Sequence, residues 1–395
     1  MPMSTRTTPT TAGPGAVPAT VPGAPGAGTT VRRGRRGWIG RRSRGLLAVL
    51  VTTAVLAGCG GSDAPPPDGP DPLRWPELTL TPLHADAPNP DVIAGAGAVG
   101  PDGRLWYVNL NGNRLLRLAP TGEEDVVVFD PPFPVSTRWV SDVTAGPDGA
   151  MWCTTYGPFI ARFTPDGESR FFPVPRRRGD TVTPYRIATG ADGQLYFLAS
   201  GVVGRMTVQG RVTMVDAPGL TLSSTLVAAP DGAVWYTLPA TPEGPSQVGR
   251  LAPDGHRTFP APNLAAGHSP VTVDHAGNLW YAQQGVGAIA RVDPRGERTV
   301  HEIPGFHSIS GILFAPDRTI WFSGITPTSR PVIGRYTPGA GSTAYRLPPE
   351  VSVGPPLLVV GPDQRIWLGA GGGIYRIEGE GVTVPTPTVA VPPTR

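Results

Sequence analysis

The chain contains no lysine; all 33 of its basic residues are arginine, and it has only two cysteines in 395 residues. Without lysine there is no P-loop, whose lysine reaches the nucleotide phosphates. A GC-rich coding sequence accounts for the bias without any chemical reason. No G-x-S-x-G elbow and no H-E-x-x-H pair is present, which removes two further catalytic signatures. Carboxylates are missing from residues 1–58, which hold eight arginines; without that segment 25 basic residues face 30 acidic ones, a net of −5. The remainder is mildly acidic, so a nucleic-acid partner has no electrostatic support. Long apolar runs are lacking too. The apolar run Leu46 to Leu56 reaches only about 16 Å as a helix, short of a bilayer core of roughly 30 Å.

Glycine (53) and proline (50) are abundant, and they fall at regular turns. Gly supplies positive φ there and Pro fixes φ. A Pro-Asp-Gly or similar turn stands four residues before an aromatic, as in Gly146 to Trp152, and an apolar-x-Arg-apolar strand follows about ten residues later. The aromatics are Trp106, Trp152, Tyr196, Trp235, Trp280, Trp321 and Trp367, at spacings of 46, 44, 39, 45, 41 and 46. The strand arginines Arg117, Arg162, Arg205, Arg250, Arg291, Arg335 and Arg376 keep the same rhythm. Seven such units of short alternating strands predict an all-β fold, a seven-bladed β-propeller of four-stranded antiparallel blades over residues 74–385. In the second unit the expected strands are Asp142 to Gly146, Met151 to Thr155, Phe159 to Phe163 and Ser169 to Phe172.

Residues 1–58 read as a disordered leader and an export signal, with a cluster of arginines before the apolar run. The run ends in Leu56-Ala57-Gly58-Cys59, which resembles a bacterial lipobox. That resemblance implies cleavage before Cys59 and its lipidation; a plain signal peptide with a chance cysteine is the alternative, and Arg41-Arg42 leaves twin-arginine export open. The expected protein is therefore anchored on the outer side of the cytoplasmic membrane through Cys59, with residues 59–73 as a Pro/Gly-rich tether and 386–395 as a disordered tail. With Cys59 acylated, Cys153 has no disulfide partner within the chain, and the domain must stand on its packing. Either Glu77 to Leu80 or Val382 to Pro385 could supply the last outer strand; the N-terminal segment is preferred.

In a four-stranded meander the first and third connections share one face, here the repetitive Pro-Asp-Gly face. The second connection and the link to the next blade share the other, and their variability makes that face the place for a ligand. A feature present in every blade belongs to the scaffold, so the strand arginines are expected to pair with turn carboxylates or carbonyls between blades.

The units GPDGxLWY…IGR…PDG, over about residues 74–380, resemble those of the virginiamycin B lyase family. The resemblance implies a seven-bladed propeller and, in true lyases, a Mg²⁺-dependent elimination that opens a cyclic depsipeptide ester. There Mg²⁺ polarises the lactone and a His on the last blades is the general base. At the matching positions this chain has Ser310, then Gly354, Pro355 and Pro356, then Leu-Gly-Ala after Trp367. Neither a base nor a ligand carboxylate stands there, so no metal ligand is assigned and Mg²⁺ enters only if a lyase activity is retained.

Other groups on the variable face are candidates. Eleven residues before the aromatics stand Ser141, Tyr185, Ser224, Ser269 and Ser310; after the aromatics come Asn109, Tyr156, Gln283 and Gln284, and Arg138 and Arg186 flank the rim. These are expected to bind a small-molecule, glycan or protein ligand, unless they only satisfy loop backbone. His307 and His268 are the candidates for a rebuilt catalytic base in a divergent C–O lyase or lactone-acting enzyme. Arg176-Arg177-Arg178 is either a solvated charge run or a receptor for an acidic partner. A monomer is expected.

Overall fold

The computed structural model describes residues 75–84, 94–109, 114–128, 140–242, 244–265, 269–348, 351, 357–370 and 373–378. The leader, Cys59, the tether, the C-terminal tail, Arg138 and His268 lie outside the described residues. Every regular element described is a strand, and the strands form seven four-stranded sheets. Each is an antiparallel meander of consecutive strands, as in the second blade: Val140–Ala145, Met151–Thr155, Phe159–Phe163 and Ser169–Pro173. The seventh is different. Its inner three strands are Leu357–Val360, Ile366–Ala370 and Gly373–Glu378, and its outer strand is Thr79–His84 from the other end of the domain. The ring is thus closed by the N-terminal segment.

That segment is held beyond its sheet pairing. Leu78 N donates to Arg346 O and Arg346 N to Pro76 O, both at 2.9 Å, on the sixth blade. Trp75 stacks on Phe306 with ring centroids 5.8 Å apart.

The core lies between blades rather than inside them. Trp106 packs with Val140, Val143 and Met151 of the second blade, and Trp152 with Ile187, Leu195 and Phe197 of the third. The pattern continues round the ring to Trp367, which packs with Leu105 and Tyr107 of the first blade. Burying one such ring removes about 150–250 Å² from water, an upper bound of roughly 4–6 kcal/mol each.

In every blade the aromatic stands directly across from the strand arginine, from Trp106 opposite Arg117 to Trp367 opposite Arg376. The turn carboxylate ties them together. Trp152 Nε1 donates to Asp148 Oδ1 at 2.9 Å and Arg162 Nε to Asp148 Oδ2 at 2.6 Å. Arg205–Asp192, Arg250–Asp231, Arg335–Asp317 and Arg376–Asp363 repeat the ion pair at 2.7, 2.5, 3.1 and 3.5 Å. The arginines are therefore structural, but the clasp is made within a blade, to its own first turn, and not between blades. The reason is the register: the arginine is the cross-strand neighbour of a ring whose N–H already faces that turn. Arg117 is the exception, reaching Asp125 of its own blade and Pro165 O of the next at 2.8 Å.

The residue before the turn decides where the indole goes. A Cβ added at Gly146 would lie 2.3 Å from both Cδ1 and Nε1 of Trp152. The fourth blade has Ala229 at this position, and there Trp235 Nε1 donates to Gly277 O of the fifth blade at 3.1 Å instead. Where Gly100, Gly146 and Gly361 stand at this position, the indole bonds the carboxylate of the following turn; the fifth blade has Asp274 there, and Trp280 Nε1 donates to that residue's own Oδ2 at 2.9 Å.

Candidate functional site

The variable face collects the links between blades and the second connection of each blade. At the channel end of the inner strands it carries hydroxyl pairs. Ser141 Oγ and Thr154 Oγ1 are 2.8 Å apart in the second blade, and Thr225 Oγ1 and Thr237 Oγ1 are 3.1 Å apart in the fourth. Thr225 Oγ1 also donates to Ser269 O of the fifth blade at 3.1 Å, which ties neighbouring inner strands.

Most of the expected rim is committed to the protein itself. Ser224 is fully buried and its Oγ accepts from Thr221 N at 3.1 Å; Ser269, also fully buried, donates to Ala265 O at 3.0 Å. Gln283 is buried and its Nε2 donates to Pro262 O at 3.1 Å. Asn109 is buried, Ser310 is half-buried with Oγ 3.4 Å from Ser323 O, and Tyr156 and Gln284 are exposed. Tyr185 is buried in the cluster between the third and fourth blades. Burial pushes its hydroxyl up to about 12, against the lowering influence of Ser224 and Arg186 beside it.

Among the described residues of the seven inner strands two are charged, Asp142 and Arg186, and they are neighbours in space. Asp142 Oδ1 accepts from Val143 N at 2.9 Å, and Oδ2 accepts from Ile187 N of the third blade at 3.0 Å. Burial raises the Asp142 carboxyl above its ordinary range, while the Arg186 guanidinium and the two backbone N–H groups act against that rise. Cys153 stands behind it, fully buried, its thiol raised by burial and by the Asp142 charge. Arg186 was expected at the rim; Asp142, one residue from Ser141, was missed. The signal was available as the one carboxylate in an inner-strand segment.

His307 is exposed, and its backbone N–H donates to Ile325 O at 2.9 Å. No carboxylate is found hydrogen-bonded to its ring among the described residues. Of the positions matched to the family's metal and base sites, Gly354, Pro355 and Pro356 lie outside the described residues, and the others present Ser310, Gly324, Leu368, Gly369 and Ala370. One half-buried hydroxyl and a run of buried small or apolar residues supply no anionic oxygen, so among the described residues this donor set does not fit a hard divalent cation.

The variable face also holds cavities. A groove of about 800 Å³ lies where the fifth and sixth blades meet. Val286, Val300 and Phe306 give it apolar walls, and Asn263, Gln283 and Glu302 give it polar ones. A second cavity, of about 410 Å³, sits beside Arg177 on the link into the third blade.

The fold resembles several solved propellers. A streptogramin B lyase structure aligns with TM-score 0.61 at 21% identity, over 76% of this chain and 97% of that one. A catalytically inactive variant of virginiamycin B lyase from Staphylococcus aureus with quinupristin aligns with TM-score 0.61 at 22% identity, over 76% and 99% of the two chains. In sequence the chain is 28% identical over 237 residues to virginiamycin B lyase of Nocardia farcinica, covering 58% of this chain and 78% of that protein. The profile of the virginiamycin B lyase family matches residues 84–373. By that match the chain belongs to the virginiamycin B lyase family.

Proposed function

We propose that this propeller is an exported lipoprotein, anchored through Cys59, that binds a small peptide-like ligand on its variable face without opening it. The order of basic cluster, apolar run and cysteine supports the anchor. The groove between the fifth and sixth blades carries the binding reading. Its volume of about 800 Å³ lies in the range of small-molecule sites, roughly 300–1,000 Å³, and it pairs apolar walls with a few polar groups. Val286 and Val300 leave 43% and 44% of their surface exposed there, side by side on one groove. Apolar side chains and amide groups on one ligand match such a lining. Retention of the fold without the family's base and ligand carboxylate favours binding over elimination.

Quinupristin, the compound present with the inactive S. aureus lyase, is the first probe. Calorimetric titration should show saturable binding that does not need Mg²⁺, and Val286→Asp should weaken it by about tenfold, the effect of a charge set in an apolar wall. Unchanged affinity in Val286→Asp, or no binding, would overturn the assignment.

A second reading, a divergent lyase or lactone-acting enzyme, is favoured by one observation. Asp142 is a carboxyl with a raised pKa beside a guanidinium, the arrangement of a general acid or base. Mg²⁺-dependent conversion of a streptogramin B to an opened isomer of unchanged mass, abolished by chelator and by Asp142→Asn, would establish it in place of the binding reading.

A further inference from the structure

We infer that the cavity beside Arg177 is a second binding site, separate from the groove of the fifth and sixth blades, and that it takes an acidic sugar: a small polyhydroxylated ring bearing a carboxylate. The backbone of the site is preformed. Arg177 and Asp180 bridge a two-residue hairpin, with N–H to O=C distances of 3.0 and 2.8 Å in the two directions. Arg178 (φ 51°) and Gly179 (φ 91°) both take left-handed backbone, the requirement of that tight turn. An arginine is a poor choice for such a position on conformational grounds, since Asn and Gly adopt it far more readily. Its side chain is one of two that hold Asp216, at 3.3 Å, and the other is Arg177 at 2.6 Å.

Arg177 uses Nη2 for Asp216, and its Nη1 is buried with no hydrogen-bond partner. A guanidinium N–H desolvated and left unpaired is costly, and an acceptor brought by a ligand removes the cost. Around it, Thr181, Thr183 and Ser200 offer three hydroxyls that form no hydrogen bond among the described residues. Val182 and Val202 are buried and form an apolar side to the same cavity.

Charge selects among anions. The cavity's two arginines, Arg177 and Arg178, are matched by Asp216 and Asp180. A doubly charged phosphate would meet those carboxylates unfavourably. A single carboxylate can take Arg177 Nη1 once the guanidinium turns that nitrogen toward the cavity, while Asp180 accepts from the hydroxyls of the same ligand. Those hydroxyls are met again by Thr181, Thr183 and Ser200, and the C–H face of a pyranose lies against the two valines. The volume of about 410 Å³ falls within the small-ligand range of roughly 300–1,000 Å³.

The test titrates the full chain with D-glucuronate at low salt by calorimetry, with D-glucose, acetate and sulfate as comparisons. Saturable binding of glucuronate is expected at about millimolar Kd, with glucose, acetate and sulfate each at least about tenfold weaker. Arg177→Gln should weaken glucuronate by about tenfold. Ser200→Ala, at an exposed position without partners, keeps the fold and should weaken it by about threefold. Val286→Asp should leave glucuronate binding unchanged, which separates this site from the groove. Equal binding of sulfate or acetate would refute the sugar; equal binding of glucose would refute the role of Arg177. Absence of saturable binding, or full affinity in both Arg177→Gln and Ser200→Ala, overturns the site.

Discussion

Gly146→Ala tests the logic of the blade turn most sharply. The added methyl group would sit 2.3 Å from Cδ1 and Nε1 of Trp152 and 2.7 Å from Asp148 Oδ1. Trp152 is fully buried, so the ring cannot step aside into solvent. Overpacking of this kind costs about 1–3 kcal/mol, and a buried indole N–H separated from its acceptor adds about 1–3 kcal/mol. Relaxation will share some of that, giving about 2–4 kcal/mol in total and, at roughly 2 °C per kcal/mol for a domain this large, a melting temperature lower by about 4–8 °C. Scanning calorimetry reads it. Two companions make the argument specific. Trp152→Phe removes Nε1 and its bond to Asp148 while keeping a ring beside the added methyl group, as Tyr196 stands beside Gly190, so Gly146→Ala should cost about 1–2 kcal/mol less in that background, a coupling that a double-mutant cycle measures. Ala229→Gly, at the blade whose indole already points to Gly277 O, should change stability by less than about 1 kcal/mol. A Gly146→Ala protein that melts like the wild type, or an undiminished cost in the Trp152→Phe background, would refute the steric reading.

Further outcomes follow from the same structure. The Asp148 carboxyl is pushed up by burial but held below its ordinary range by the stronger pull of its bonds from Trp152 and Arg162. Its contribution is therefore complete above an unfolded pKa of about 3.9 and lost as pH falls through the lower folded value; Asp148→Asn should lower stability at pH 6 and narrow its difference from wild type at pH 3, read by thermal melts. Cys153 is fully buried with a raised thiol pKa, so in a Cys59→Ser chain a thiol reagent at pH 8 should label it only at the rate of unfolding; fast labelling of the folded protein would contradict its placement. Removing residues 1–74 should leave a folded domain, whereas removing 1–84 takes away buried Trp75 and Leu78, at about 1.5–3 kcal/mol for each apolar side chain, and the whole seventh outer strand; equal protease resistance of the two truncations would argue against ring closure by this strand. Cys59→Ala should abolish incorporation of a fatty-acid label in a bacterial host, and undiminished labelling would dismiss the lipid anchor.

The architecture was legible because its cause is local and repeated. A turn four residues before each aromatic and an arginine on the following strand are read directly from spacing, and the register places Trp152 opposite Arg162 as that spacing implies. The preferred N-terminal closing strand was legible from its position before the first inner strand. The partners of the arginines were read correctly in kind but set between blades, because cross-strand register is a property of the folded sheet. The site was less legible. Gln283 looked like a ligand group, but its amide is tied to Pro262 O. Asp142 and Arg186 lie 44 positions apart on different blades, and only the ring brings them together. The unpaired Nη1 of Arg177 is equally invisible until its hairpin is built.

The closing strand carries a consequence for how the protein is made. Thr81 Oγ1 bonds Glu378 Oε1 across 297 positions of sequence at 3.0 Å. The first described strand to leave the ribosome is therefore the one whose partner leaves last. Until then it is an unpaired edge, and the seventh inner strands have no outer neighbour. Closing so long a loop exacts its chain entropy before the last sheet repays any of it. Any arc of blades that forms before this closure leaves Trp367 and the first blade's Leu105 and Tyr107 wet, a species that invites pairing with a second copy.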